Sequence, residues 1–125
     1  MVFKHLFKVA LSWISKEETA QSAFKFYSKS HTISIQGKPD LNISAAKAFK
    51  GDPALYNPED LLLSSLTSCH MMSYLYCCKQ NNIEVISYTD DAEATLEVND
   101  DGSGRIVEVM LYPKVIISNP TQIEL

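Results

Sequence analysis

The residues able to do chemistry crowd into one stretch, NPEDLLLSSLTSCHMMSYLYCCK at 57–79, which carries Glu59, Cys69, His70, Cys77 and Cys78. Cysteine and histidine together raise a metal site first. On a helix, however, Cys69 and Cys77 stand about 12 Å apart along the axis. A zinc ion needs every ligand within about 2.3 Å, so one helix cannot assemble a metal site from these residues. The same spacing forbids a Cys69–Cys77 disulfide, whose Cα atoms must approach within about 7 Å. Three cysteines confined to ten positions are no disulfide framework either. They suit a reducing compartment, with the cytoplasm as the expected location. By residue type alone, Cys69 reads first as a small core hydrophobe. His70 reads as a satisfied histidine at a helix surface, and Cys77 with Cys78 as packing residues.

The element that must position these groups has clear ends. Asn57 is a good N-cap, Pro58 suits the first helical position, and Glu59 with Asp60 place negative charge at the positive end of the helix dipole. Lys79 and the asparagines of KQNN suit the other end, since asparagine tolerates the left-handed conformation. Between them, Leu61, Leu62, Leu63, Leu66, Met71, Met72, Leu75 and Tyr76 cover more than one face, which predicts a central helix buried on most sides. Ser64, Ser65 and Ser68 leave room for a close neighbour.

Strand periods flank the helix. Phe3, Phe7, Val9, Leu11 and Trp13 share one parity and predict a strand over 3–14. Phe24, Phe26, His31, Ile33 and Ile35 extend the β pattern as far as Gly37, and LNIS supplies a short strand before a broken helical turn in AAKAFKGDP. After the helix, DAEATLEVN and RIVEVMLYPKVIIS alternate, joined by NDDGSG as a hairpin turn. Strands, one long helix and more strands predict an α+β fold, a single domain over 1–125 with antiparallel sheet wrapped around a central helix. SNPTQIEL repeats the helix-opening chemistry of 57–60 yet stops after one turn, which suggests a chain cut inside an element.

Composition excludes two partner classes. With 125 residues, a formal charge of −4 and no basic run, the chain carries no footprint for nucleic acid. No apolar run approaches the roughly 20 residues of a membrane span, and Lys4, His5 and Lys8 interrupt any signal-peptide core at the N-terminus.

The stretch FKGDPALYNPEDLLLSSLTSCHMMSYLYCCKQNNIEVISYTDDAEATLE resembles the OsmC/Ohr family of small α/β thiol proteins, in its OsmC-like branch. The resemblance rests on the Asn-Pro-Glu helix opening, the small-residue run into Cys69 and the ten-residue step from Glu59 to Cys69. It runs from about Phe24 to Ile117. It implies reduction of organic hydroperoxides by a reactive cysteine, with lipoyl-type or other dithiols as reductants and no cofactor. Cys69 would be the peroxidatic residue, its thiolate stabilised by an arginine that Glu59 holds.

Two departures stand out against that pattern. Arg105 is the sole arginine and belongs to the NDDGSGRI turn, so Lys29 is the candidate cation in its place. Lysine is a point charge without the planar fork that grips a carboxylate. The family's resolving cysteine, on a C-terminal helix, has no counterpart before Leu125. Glu59 and Cys69, meanwhile, stand about 15 Å apart along a straight helix and turned by about 280°. One site can use both only if the helix breaks or if the Glu comes from another copy, and the second points to an intertwined homodimer with interface sites. The alternative is a non-catalytic dimer of the same fold that binds a small apolar molecule.

Overall fold

The computed structural model describes residues 1–15 and 27–118. The chain divides into two compact units, Met1–Pro58 and Glu59–Leu125.

The first unit is an antiparallel meander of β1 (Ala10–Ser12), β2 (His31–Ser34) and β3 (Leu41–Ile43). Its register sets Leu11 opposite Ile33 and Ile33 opposite Leu41, so the odd-numbered apolar residues share one face. Ser12, Thr32 and Asn42 form the corresponding row on the other face, where the Thr32 hydroxyl donates to Asn42 Oδ1 at 3.1 Å. Gly37, at φ +82°, makes the β2–β3 turn in a conformation that costs glycine nothing.

Beyond β3 the backbone folds tightly around Ser44, which is fully buried. Its N–H donates to the Tyr56 carbonyl at 2.9 Å, and its hydroxyl accepts the Asp52 N–H at 2.9 Å. A 3₁₀ turn over Lys47–Phe49 closes on Lys50 in the left-handed region, and Gly51 then passes so close to Ala45 that a Cβ would lie 1.8 Å from its carbonyl oxygen. These contacts explain why FKGDP reads as a broken helix: the glycine is required by a close approach of two backbones. Ile43, 2% exposed and bridged to Tyr56, is the buried apolar centre of this unit.

The second unit begins with α1, Pro58–Gln80, as the capping residues predict. Its C-terminus is a Schellman motif: Asn82 adopts φ +57°, the Ile83 N–H donates to the Cys78 carbonyl at 2.8 Å, and the Asn82 N–H donates to that of Lys79 at 3.2 Å. Cys78 and Ile83, the two positions where that motif places its apolar contact, are both buried.

Four strands follow: β4 (Val85–Asp90), β5 (Glu93–Val98), β6 (Gly104–Met110) and β7 (Pro113–Ile117). They form two antiparallel pairs, β4 with β7 and β5 with β6. The NDDGSG turn behaves as expected, with the Asn99 N–H donating to the Ser103 carbonyl at 2.7 Å and Gly102 at φ +88°. Ser103 donates to Asp101 through both hydroxyl and amide, and these bonds hold that carboxyl below its usual range. One helix with antiparallel sheets makes the chain α+β.

Several expectations need correction. The strand over 3–14 contracts to Ala10–Ser12, because Met1–Val9 have no strand beside them among the described residues. The strand β4 is missing from the sequence reading, since VISYTD carries polar residues on both faces. The run RIVEVMLYPKVIIS is two strands: the chain breaks at Leu111–Tyr112, where Asp90 Oδ1 accepts the Tyr112 N–H at 2.8 Å. Helix α1 is also far less covered than its composition suggests, with Cys78 its one buried residue. The readings placed on Phe24, Phe26 and the tail from Asn119 lie outside the described residues.

Candidate functional site

Cys69 is the midpoint of α1, and it is exposed rather than packed as a core hydrophobe. Leu62, Leu66, Met72 and Tyr76 are exposed on the same helix, the first two four residues apart and the last two likewise. At that spacing they form apolar patches one turn long on either side of the thiol. Cys77 is exposed too, which overturns its reading as a packing residue, while Cys78 is packed as expected.

Glu59 lies in the first turn of α1. Its Oε1 is shut off from solvent and has no hydrogen-bond partner among the described residues. A carboxylate oxygen left in that state costs about 1–3 kcal/mol or more, so it is a site awaiting a donor. The helix runs unbroken from Pro58 to Gln80, so the separation of about 15 Å between Glu59 and Cys69 stands, and the two do not meet within one helix. Lys29 belongs to the first unit, in the segment before β2. Its carbonyl accepts a 2.9 Å hydrogen bond from Nδ1 of His31, which fixes that imidazole with its proton on Nδ1.

Two polar clusters tie the helix to the strands of its own unit, and the sequence reading found neither. Thr67 donates to Asp90 Oδ2 at 2.6 Å, while the other oxygen of that carboxylate takes the Tyr112 amide. Asp90 thus clamps the middle of α1 to the ends of β4 and β7. His70 Nδ1 and the Tyr88 hydroxyl are 2.6 Å apart, and the Tyr88 ring leans on Tyr74 at 5.8 Å between centroids. His70 is therefore a satisfied surface histidine, as expected. Desolvation first, then the Asp90 charge and the neighbouring Tyr74, push the Tyr88 phenol up. Desolvation and Cys78 do the same for Tyr74, so both phenols stay protonated at neutral pH. The available signal was the polar alternation of SYTD, too short to separate a structural clamp from a loop.

Asp90→Ala removes the acceptor of two hydrogen bonds to a charged group. An expected loss of about 2–3 kcal/mol follows, measured by urea denaturation of the full chain. An unchanged midpoint would show that the clamp is already satisfied by water.

Beside this cluster, His70, Ser73, Tyr74, Cys77, Cys78 and Asn81 line an apolar groove of about 480 Å³ along the C-terminal half of α1. Among the described residues, no three His, Cys, Asp or Glu side chains converge to hold a metal. No described helix is long and apolar enough to cross a membrane.

Comparison with known proteins bears on what this arrangement is. A search of curated protein sequences returned no match. The structure of an OsmC-like protein of unknown function from Vibrio cholerae matches with a TM-score of 0.79 and 28% identity, over 97% of this chain and 84% of that one. The model of the OsmC-like protein family matches residues 51–124, which take in the Gly51 close approach, the whole of α1 with Glu59 and Cys69, and all four strands of the second unit. With the motif, the helix that carries it and the surrounding strands in agreement, the chain belongs to the OsmC-like family.

Proposed function

We propose that this protein is a thiol-dependent reductase of organic hydroperoxides, acting through Cys69 in a homodimer and serving oxidative-stress defence in the cytoplasm. The observation that carries the reading is an exposed thiol at the centre of the family helix, with an orphaned Glu59 carboxylate oxygen ten residues before it. The Cys69 thiolate attacks the distal peroxide oxygen, the O–O bond breaks, and the alkoxide leaves and takes up a proton to become the alcohol. Cys69 is left as a sulfenic acid. A reducing thiol then condenses with it, releasing water and forming a mixed disulfide. A second thiol frees Cys69 and completes the reductant's disulfide.

Glu59 and Lys29 are positioning residues in this scheme. An ammonium held by Glu59 satisfies the orphan oxygen and, as a nearby positive charge, favours the thiolate as nucleophile. Because Glu59 and Cys69 are separated along one straight helix, the Glu59 that serves one thiol comes from the other copy. The first step tests this directly: Lys29→Arg is expected to speed oxidation of Cys69 by an organic hydroperoxide, because a guanidinium holds both partners with a planar fork. Equal rates in the two proteins would remove Lys29 from the site.

A second reading is favoured by the apolar groove beside Tyr74 and Cys77. In it, the fold is kept as a non-catalytic dimer and binds a small apolar molecule. Failure of Cys69 to react with any hydroperoxide would favour that reading.

A further inference from the structure

Two hydrogen bonds bracket Cys69. Thr67, two residues before it, donates to Asp90 Oδ2 at 2.6 Å, and His70, the residue after it, has Nδ1 2.6 Å from the Tyr88 hydroxyl. Tyr88 and Asp90 are two apart on β4, so their side chains leave one face of that strand. Thr67 and His70 are three apart on α1, about 60° apart around the axis and about 4.5 Å along it. The later helix residue meets the earlier strand residue, so α1 runs antiparallel over β4 and both pairs close together.

These pairs decide where the thiol points. At about 100° per residue, Cys69 is turned about 160° from Thr67 and about 100° from His70, so the pinned face lies nearly opposite the sulfur. Apolar burial is non-directional and does not select one rotation of a helix. Hydrogen bonds weaken steeply when misaligned, and so they do. Cys78, the buried residue of α1, lies nine positions beyond Cys69 and anchors the far end of the helix. Both strand partners are held in turn: Asp90 Oδ1 takes the Tyr112 N–H at 2.8 Å, and the Tyr88 ring leans on Tyr74 at 5.8 Å. Thr67–Asp90 is the stronger pair, being part-buried and made to a carboxylate. A sulfur about 5 Å from the helix axis moves by about 1.3 Å when the helix turns by about 15°. Misplacement on the order of 1 Å costs a reaction about 100-fold.

We propose that Thr67 with Asp90, and His70 with Tyr88, are positioning pairs that fix the rotation of α1 and so aim the Cys69 sulfur at the peroxide. All four residues act through the helix and not on the substrate. Their contribution to stability is separate from this one: a helix that stays folded but turns slightly keeps its thiol and loses its aim. The inference rests on the peroxidase reading for the reaction that is aimed, while the aim itself is a property of the helix and is measurable without peroxide.

Two substitutions at one position in the full chain test it. Thr67→Val keeps the branched shape and leaves Asp90 Oδ2 without that donor, whereas Thr67→Ser keeps the donor. Oxidation of Cys69 by an organic hydroperoxide is expected to slow about tenfold or more in the first and to stay within about twofold of wild type in the second. An undiminished rate in Thr67→Val, or a loss that serine does not rescue, would overturn the proposal. Tyr88→Phe keeps the ring against Tyr74 and loses the hydroxyl, and gives the same test should Thr67→Val not fold. A trifluoromethyl label on Cys69, in a Cys77→Ser background, reads the aim directly. Its fluorine resonance is expected to shift or split in Thr67→Val and in Tyr88→Phe, and to coincide with wild type in Thr67→Ser. An unchanged resonance in the valine and phenylalanine variants would overturn the proposal. Shifted resonances in a protein inert to hydroperoxide would instead overturn the peroxidase reading alone.

Discussion

Brief exposure to a bulky organic hydroperoxide is expected to leave Cys69 as a sulfenic acid that no thiol of the same helix can resolve. Cys77 lies eight residues on, about 12 Å along the axis, and Cys78 is buried. Disulfide formation needs Cα atoms within about 7 Å, so an intramolecular bond is excluded by geometry. The oxidised sulfur then waits for an external thiol or climbs to the irreversible sulfinic acid. Trapping with a dimedone-type probe should therefore label Cys69 nearly stoichiometrically in a single turnover. Sustained turnover with a dithiol should be weak, and a second equivalent of peroxide should add a second oxygen to the same residue. A Cys69–Cys77 disulfide in the peptide map would contradict the straight helix from Pro58 to Gln80.

The second large effect is on stability. Ile43 is 2% exposed, lies opposite His31 in the β2–β3 pair and bridges to Tyr56, with fully buried Ser44 next in the chain. Truncation to alanine loses both transfer free energy and packing, for about 2–5 kcal/mol. So small a core, in a unit of short strands, has little reserve against that loss. Ile43→Ala should lower the urea midpoint of the full chain sharply. Leu11→Ala, at an exposed position of the same sheet face, should change it little. Equal effects would show that Leu11 is covered in solution, as a neighbouring copy would cover it.

The sequence was legible where local chemistry decides the outcome. The Asn57–Pro58 opening, the asparagine stop and the NDDGSG turn each act within a few residues, and each is where the pattern placed it. It was misleading where long-range pairing decides. Strand β4 depends on β7, nearly thirty residues away, and its alternation is blurred by Ser87, Thr89 and the bulge at Ile86. The break at Leu111–Tyr112 comes from a hydrogen bond to Asp90, which periodicity cannot register. The placing of Glu59 in the first turn and Cys69 at the middle of one helix was legible from the Asn57–Pro58 opening and the asparagine stop. The apolar content of α1 was read as burial, yet Leu62, Leu66, Met72 and Tyr76 face outward. Apolar composition alone does not distinguish a face packed in a core from one left exposed.

The central claim is that Cys69 is the reacting sulfur. It is tested most directly by following consumption of an organic hydroperoxide, with a dithiol present, by the wild-type chain and by Cys69→Ser and Cys77→Ser. The account predicts loss of at least 100-fold in the first variant, on the order of the change expected when a nucleophile is removed, and near wild-type consumption in the second. Consumption that survives Cys69→Ser, or vanishes with Cys77→Ser, would contradict it.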